Sequence, residues 1–316
     1  MIIFSGEKKV NNGRSLSYVL ARDFRQNKYK YLLILPVLAY FILFCYKPMY
    51  GLVIAFQDYR ANLGIMRSKW VGLRNFITFF KDPYFFRLLR NTLSISLLSI
   101  VFGFPAPILL AILLNEINNT AFKRTVQTIT YMPYFISMVV VCSLIRIYTS
   151  SEGLFSQIAA AFGGSGKNYL MYPQYFYPIY VLSGIWETIG WNSIIYLAAL
   201  TGIDPEQYEA AIIDGAGRFR RIWSITLPNL LPIIMVLFIL RMGGILNVGF
   251  EKIILLYNAN TYQVADVIST FVYRRGIQEA AYSYATAVGL FNSLVNIVFL
   301  VSANTLSRKF TDSSLF

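Results

Sequence analysis

Long apolar runs alternate with shorter polar segments along the whole chain. Each run has more than 20 residues and few charged side chains, which is the length that an α-helix needs to cross a bilayer. A soluble multidomain protein would need shorter, amphipathic elements, and it fits this pattern poorly. The pattern therefore predicts an all-α membrane protein with six transmembrane helices, at 31–56, 88–114, 126–148, 178–200, 229–250 and 281–304.

The first apolar run is predicted to be a transmembrane helix and not a secretory signal peptide. The run 31–56 is far longer than the roughly 7–15 apolar residues of a signal peptide, and it lacks a small-residue cleavage site. The segment before it, 1–30, is polar and carries seven Lys and Arg side chains. Positive charge next to a first span indicates a cytoplasmic amino terminus.

The distribution of basic side chains predicts that both termini are cytoplasmic. The segments that would then be cytoplasmic hold 14 Lys and Arg residues, and the outer segments hold 9. This difference has the sign that the positive-inside rule requires. We therefore predict a cytoplasmic tail at 1–30, a six-helix transmembrane domain at 31–304 with a cytoplasmic loop at 201–228, and a cytoplasmic tail at 305–316.

Composition narrows the possible function further. The chain is 56% hydrophobic and has a formal charge of +13 with no His. A basic excess can indicate nucleic-acid binding, but in a membrane protein it is better explained by cytoplasmic loops, so no nucleic-acid partner is predicted. Without His there is no histidine metal site and no Ser-His-Asp triad, and no catalytic or metal-binding residue is predicted. Cys45 and Cys142 lie in apolar runs and are predicted to be small core side chains without a disulfide.

A glycine-rich segment, 163–168, superficially resembles a phosphate-binding loop. The Walker pattern requires Gly at 161 and Ser or Thr at 168, but the chain has Ala161 and Asn168. The predicted topology also places this segment outside, away from cytoplasmic ATP. No ATP or Mg²⁺ site is therefore predicted on this chain.

The polar segment 204–228 is the most informative stretch of the sequence. Asp204 suits the cap of a helix, and Pro205 suits the first helical position, where its missing N–H costs nothing. Gly215 and Gly217 then indicate a turn, and three arginines follow. These features predict a short helix–turn–helix on the membrane surface that is exposed to a soluble partner.

The same segment resembles the EAA loop of binding-protein-dependent ABC importer permeases. The resemblance rests on several residue types at fixed spacings within 20 residues. They are Glu209-Ala210-Ala211, Gly215 after three residues, and Ile225-x-Leu227-Pro228 after nine more. The surrounding run, Trp191 to Gly217, resembles the maltose-type sugar branch, and it is closest to six-helix permeases for oligosaccharides and polysaccharides.

The resemblance implies a type I ABC importer permease (MetI-like) architecture and several partners. These are a second homologous permease, two ATPase subunits, an extracytoplasmic solute-binding protein and a carbohydrate substrate, in a bacterial cell membrane. ATP and Mg would act on the ATPase chains and would not be bound by this one. In the family the loop docks on the ATPase, which implies that the coupling residues here are Glu209, Ala210, Ala211, Asp214, Gly215 and Arg218.

Polar side chains within the predicted helices are candidates for a substrate pathway. A charge inside a span costs about 2.5–3.5 kcal/mol on insertion scales and so suggests a specific role. Glu187 and Arg241 lie at equal predicted depth, which permits an ion pair, although the two could also snorkel separately or contact substrate in a cavity. Tryptophans can stack on sugar rings, but Trp186 and Trp191 can equally pack against lipid or helices. The candidates are Glu187, Trp191, Asn192, Arg241, Asn247 and Asn292.

Three other functions are considered. A permease for a non-sugar solute, such as an amino acid or phosphate, would share the EAA-like loop, and only the flanking resemblance disfavours it. An ATP-independent secondary transporter would be expected to show inverted repeats, which the sequence lacks. An intramembrane enzyme would need a nucleophile–base or metal constellation, and the absence of His weakens that alternative.

Overall fold

The computed structural model describes residues 16–311 and 314–315 of the 316-residue chain. The described residues form two compact units that separate between Val53 and Ile54. Parts of both predicted tails, at 1–15, 312–313 and 316, lie outside the described residues.

The described chain is helical almost throughout, which agrees with the predicted all-α class. Its α-helices are α1 Leu16–Tyr40, α2 Lys47–Met49, α3 Gly64–Arg67, α4 Arg74–Phe80, α5 Phe85–Leu98, α6 Pro105–Asn115, α7 Thr120–Tyr131, α8 Met138–Thr149, α9 Leu154–Ala161, α10 Pro173–Leu200, α11 Pro205–Ile213, α12 Arg218–Arg221, α13 Leu227–Met242, α14 Phe250–Leu256, α15 Tyr262–Ala265, α16 Ile268–Tyr273 and α17 Tyr282–Thr311.

Short irregular helices and one small sheet complete the fold. The π-helical turns are Phe41–Tyr46, Ser99–Gly103, Ile222–Thr226 and Arg274–Gln278. The 3₁₀ turns are Tyr50–Phe56, Met132–Phe135 and Tyr169–Met171. Two strands, β1 Gln57–Asp58 and β2 Lys69–Trp70, pair antiparallel with Gln57 opposite Trp70.

Five helical stretches of the described chain are long and apolar enough to cross a membrane. They are Asp23–Phe56, Phe85–Asn115, Met138–Ala161, Arg218–Met242 and Tyr282–Lys309. The predicted span 178–200 does form a helix, α10, with 28 residues, but it is not among the five. Glu187, Asn192 and two tryptophans lower its hydropathy, because this helix carries the polar side chains of the site described below.

Two predicted helices have different limits in the structure. The predicted span 126–148 is interrupted between Met132 and Ser137, because Pro133 has no N–H for a continuing α-helix. The predicted span 229–250 ends at Met242 and is followed by Gly243 and Gly244, after which α14 begins at Phe250. The chain therefore turns back before the residues that sequence hydropathy had assigned to the fifth span.

The other predicted spans agree more closely with the structure. The second, predicted at 88–114, runs from Phe85 to Asn115 and contains a π-helical turn at Ser99–Gly103. The last, predicted at 281–304, continues to Thr311 as α17. The first is a helical stretch that changes direction at Asn27, whose backbone is not helical, and continues through a π-helical turn.

Helix α10 lies at the centre of the unit 54–316, and it packs against α5, α6, α7, α13 and α15. Gly190 permits the close approach of α10 to α7, because a β-carbon there would lie 2.2 Å from the carbonyl oxygen of Thr130. Cys142 is buried in the core beside α10, as predicted, whereas Cys45 is exposed; both are free thiols. The packing holds the polar face of α10 against the ends of α13 and α14.

Candidate translocation cavity and coupling surface

A cavity of about 930 Å³ lies between α10, the π-helical turn after α5, and the segment that joins α13 to α14. Five of the six candidate pathway residues line it. The sequence placed these five in two predicted helices, the fourth and the fifth. These are Glu187, Trp191, Asn192, Arg241 and Asn247. The sixth, Asn292, does not line the cavity, and Trp186 lines a separate, mostly apolar cavity beside α8 and α9.

Glu187 forms an ion pair inside the cavity, and its partner is Lys252 and not Arg241, the partner considered from the sequence. The ammonium of Lys252 lies 3.2 Å from Oε2 of Glu187, and the two side chains are only 5% and 12% exposed. A β-carbon at Gly184 would lie 3.6 Å from Nζ, at ordinary van der Waals distance, so Gly184 lies directly beside the ion pair. The ion pair between Glu187 and Arg241, which was one of the alternatives open from the sequence, is therefore not the one in the structure.

The early end of α13 explains why Lys252 is the partner of Glu187. Because that helix stops at Met242, the chain turns and α14 brings Lys252 back against α10. The sequence assigned Lys252 to an outer segment. Two signals pointed to its burial: the glycines that end α13, and the apolar run Ile253 to Leu256 directly after the lysine.

Arg241 lines the same cavity from the last turn of α13. It is exposed to the cavity, and it forms no ion pair with any described residue. Glu251, in the first turn of α14, also lines the cavity and is likewise exposed. The wall thus presents one neutralised ion pair and two further charges of opposite sign.

Asn292 reaches the cavity indirectly, through Asn247. The Asn292 amide nitrogen donates a hydrogen bond to Oδ1 of Asn247 at 2.9 Å. Asn296 donates to the same oxygen at 3.2 Å. Two amides on α17 therefore hold one amide on the cavity wall, which is the interhelical hydrogen bonding that polar residues provide in membrane helices.

Trp191 presents an aromatic surface to the cavity, and it is supported from behind. One face of the indole stacks on Tyr134, with ring centroids 4.6 Å apart and planes 3° from parallel. Phe135 packs edge-on against it at 5.5 Å. Such contacts fix the orientation of the ring. These two partners could not be predicted from the sequence, because they come from the 3₁₀ turn that interrupts the predicted third span.

The second candidate surface is the helix–turn–helix predicted from the sequence, and the structure contains each of its parts. Asp204 Oδ1 accepts a hydrogen bond from the backbone N–H of Glu206 at 3.0 Å and caps α11. Gly215 has a φ of +75°, in the left-handed region that glycine adopts without strain. Gly217 then precedes α12.

The residues implied to couple to the ATPase lie on an exposed surface of this segment. Ala211 is half-buried, and the other five, Glu209, Ala210, Asp214, Gly215 and Arg218, are exposed. Ile213, Phe219 and Trp223 beside them are between 76% and 90% exposed. Large exposed apolar side chains next to charges indicate a partner surface.

Two hydrogen bonds connect α11 to the stretch that continues into α13. The hydroxyl groups of Tyr208 and Thr226 lie 3.0 Å apart. Asn229 donates to the side-chain oxygen of Gln207 at 3.1 Å. Because Arg241 lies at the far end of α13, this helix joins the exposed segment to the cavity wall.

Comparison with protein families gives one match that covers most of the chain. A family model described as "Binding-protein-dependent transport system inner membrane component" matches residues 103–312. The matched range includes the whole helix–turn–helix and every residue of the cavity wall that is named above.

Two relatives from Bacillus subtilis (strain 168) match nearly the full chain. The chain is 48% identical over 292 residues to the polygalacturonan/rhamnogalacturonan transport system permease protein YteP, covering 92% of this chain and 91% of the relative. It is 46% identical over 305 residues to protein LplB, covering 96% and 95%.

Solved structures agree with these relatives. A chain in the crystal structure of a bacterial ABC transporter involved in the import of the acidic polysaccharide alginate matches with a TM-score of 0.86 and 44% identity, covering 93% of this chain and 99% of that one. A second structure, of an alginate ABC transporter in complex with an alginate pentasaccharide-bound periplasmic protein, matches with a TM-score of 0.86 and 43% identity.

Proposed function

The chain belongs to the family of binding-protein-dependent transport system inner membrane components, and we propose that it is the permease subunit of an ATP-driven importer for an oligosaccharide or polysaccharide fragment. The observation that carries this proposal is the connection between its two surfaces. An exposed helix–turn–helix is hydrogen-bonded to the stretch that continues into α13, and α13 ends at a polar, aromatic-lined cavity.

We propose that the chain crosses the bacterial cell membrane six times with both termini in the cytoplasm. The five long apolar stretches supply five crossings, and α10 supplies the sixth. Its 28 residues correspond to about 42 Å at 1.5 Å per residue, which is enough to span a bilayer. Its side chains Glu187, Thr188 and Asn192 line the cavity, where they avoid contact with lipid.

The proposed complex contains a second permease, two ATPase subunits and an extracytoplasmic binding protein. ATP and Mg²⁺ would act on the ATPase subunits, and this chain would do no covalent chemistry. Glu209, Asp214 and Arg218 offer charges of both signs to a docked ATPase, beside the exposed Ile213 and Phe219. ATPase closure would displace α11, and the two hydrogen bonds to Thr226 and Asn229 would transmit this displacement to α13.

The cavity suits a carbohydrate because it combines an aromatic face with several hydrogen-bonding groups. Trp191 offers its ring to the C–H face of a pyranose, and Tyr134 and Phe135 hold that ring in place. Asn192 and Thr188 add polar groups on α10. Ligand sites of this kind place a few polar groups in an otherwise apolar wall.

Reconstitution tests the proposal. The chain is co-expressed with the permease and ATPase subunits of its own importer, purified, and placed in proteoliposomes with the binding protein. We expect co-purification of the ATPase and uptake of oligosaccharide that requires both ATP and the binding protein. A complex that forms without an ATPase, or sugar uptake that is independent of ATP, contradicts the proposal.

A further inference from the structure

Some charged side chains on the cavity wall have an ion-pair partner, and others do not. Glu187 and Lys252 neutralise each other at 3.2 Å. Arg241 is exposed to the cavity and has no ion-pair partner among the described residues. A cation within a membrane segment is costly unless it faces water or a ligand, and such residues typically mark a substrate path. Arg241 is therefore available to a ligand, whereas Lys252 is not.

A chain of hydrogen bonds fixes the orientation of a second donor. The backbone N–H of Leu246 donates to Oδ1 of Asn296 at 3.0 Å, so the Asn296 amide nitrogen must be the group that faces Asn247. Oδ1 of Asn247 consequently accepts from Asn296, and it also accepts from Asn292. The NH₂ group of Asn247 lies on the other arm of the amide, and no described residue accepts from it.

Arg241 and Asn247 thus offer only donors, and they lie on either side of the glycine-containing turn that ends α13. A guanidinium has five N–H donors in a planar fork that matches the two oxygens of a carboxylate. The amide adds further N–H donors in a fixed orientation. A neutral sugar hydroxyl could accept from these donors, but only an anion would also neutralise the unpaired charge of Arg241.

We propose that Arg241 and Asn247 form a subsite for the carboxylate of an acidic sugar unit as it passes through the cavity. This inference rests on the proposed function, because it requires that a saccharide enters the cavity. It adds a substrate class to that function: the translocated oligosaccharide contains uronate units. Glu251 is the one other charge on the described wall outside the ion pair, and it would repel a carboxylate. A neutral residue in place of Glu251 is therefore a control, because it should change the uptake of an acidic saccharide in the opposite direction.

The test uses the reconstituted importer with its binding protein, and it measures both uptake and saccharide-stimulated ATPase activity. The probes are trigalacturonate, its fully methyl-esterified form, trimers of mannuronate and guluronate, and neutral maltotriose. Each variant is assayed with the same binding protein, so the preference of that protein cancels in the ratio between variant and wild type. Co-purification of the ATPase reports assembly.

We expect Arg241→Gln to lower uptake of the transported uronate trimer by about tenfold or more, because a charge-assisted hydrogen-bond pair is lost. Arg241→Lys should retain part of the activity. Asn247→Asp keeps the oxygen that accepts from Asn292 and Asn296 and replaces only the NH₂ group, so it should also lower uptake of that trimer. Glu251→Gln should leave it unchanged or raise it.

The outcomes separate this proposal from the proposed function. If the wild type carries only neutral or esterified saccharides, or if Arg241→Gln and Asn247→Asp leave the ratio of acidic to neutral uptake unchanged, the carboxylate subsite is wrong and the importer function stands. If an assembled wild-type importer carries none of the acidic probes, the carboxylate subsite is contradicted; if its uptake of a probe needs neither ATP nor the binding protein, the proposed function is contradicted as well. Should Arg241→Gln fail to assemble, Arg241→Lys and Asn247→Asp still decide the question.

Discussion

The hydroxyl oxygens of Tyr208 and Thr226 lie 3.0 Å apart, and this contact joins the exposed α11 to the π-helical turn that continues into α13. Thr226 is buried, whereas the surface of α11 that includes Glu209 is exposed. A force applied to the exposed surface therefore has a direct route to a buried position. The same continuous helical stretch reaches Arg241 at the cavity.

Loss of this contact should weaken coupling without preventing assembly. Tyr208→Phe removes one hydrogen bond, worth about 0.5–1.5 kcal/mol, and leaves the ring in place. We expect about two- to tenfold less sugar transported per ATP hydrolysed in proteoliposomes. Tyr172→Phe is the control, because Tyr172 is far from this segment in sequence and its hydroxyl has no described hydrogen bond. Equal transport ratios in both variants would argue against this route.

Changes at two positions of the EAA-like loop should disrupt the proposed ATPase contact more severely. Glu209→Lys reverses an exposed charge, and Gly215→Asp adds a side chain and a charge at a residue with a φ of +75°. We expect weaker ATPase co-purification or hydrolysis without transport. Glu152→Lys makes the same charge reversal at an exposed residue of another segment and should be silent. Full uptake by both loop variants at normal membrane levels would refute the assignment.

The ion pair in the cavity predicts a specific pattern of rescue. Glu187→Gln leaves the Lys252 ammonium buried without its partner, which typically costs about 3–5 kcal/mol. We expect a large fall in the amount of assembled protein, measured by size-exclusion profile and membrane level. Adding Lys252→Met should restore much of it, whereas adding Arg241→Gln should not. Rescue by Arg241→Gln instead would show that the pairing is wrong.

The proposed topology is open to chemical labelling. In a background with Cys45→Ser and Cys142→Ala, Ser165→Cys lies in the exposed loop before α10 and Ser224→Cys lies exposed in the segment that enters α13. An impermeant thiol reagent added to intact cells should label the first and not the second. Both should react after permeabilisation, which controls for local reactivity. If the reagent labels Ser224→Cys and not Ser165→Cys in intact cells, the orientation is the reverse of the proposed one.

The sequence predicted best where the signals are local. The cap at Asp204, Pro205 at the first helical position and the turn at Gly215 each depend on residues within a few positions, and the structure contains all three. The prediction that the long apolar runs form helices was also correct, because composition alone identifies such runs. Helix ends were less certain, because hydropathy continues through Gly243 and Gly244 although the helix does not.

Contacts between distant segments could not be derived from the sequence. Lys252 reaches Glu187, 65 residues away, only because α13 ends early and α14 folds back. Equal predicted depth made Arg241 a possible partner, but that depth was counted on a helix that continues to residue 250, whereas α13 ends at Met242. The cavity wall itself was better anticipated, because a polar side chain in an apolar run has few other places to lie.

We propose that the exposed surface of the helix–turn–helix at 204–228 controls access to the cavity through one continuous helical stretch. Thr188→Cys in the cysteine-free background places a thiol on the cavity wall, and its rate of labelling by a small impermeant reagent reports access. In the reconstituted importer, we predict that the rate from the outer side differs severalfold between the nucleotide-free and the ATP- and vanadate-trapped states, and that Glu209→Lys abolishes this difference. A rate that is independent of nucleotide, or a difference that survives Glu209→Lys, would contradict the account.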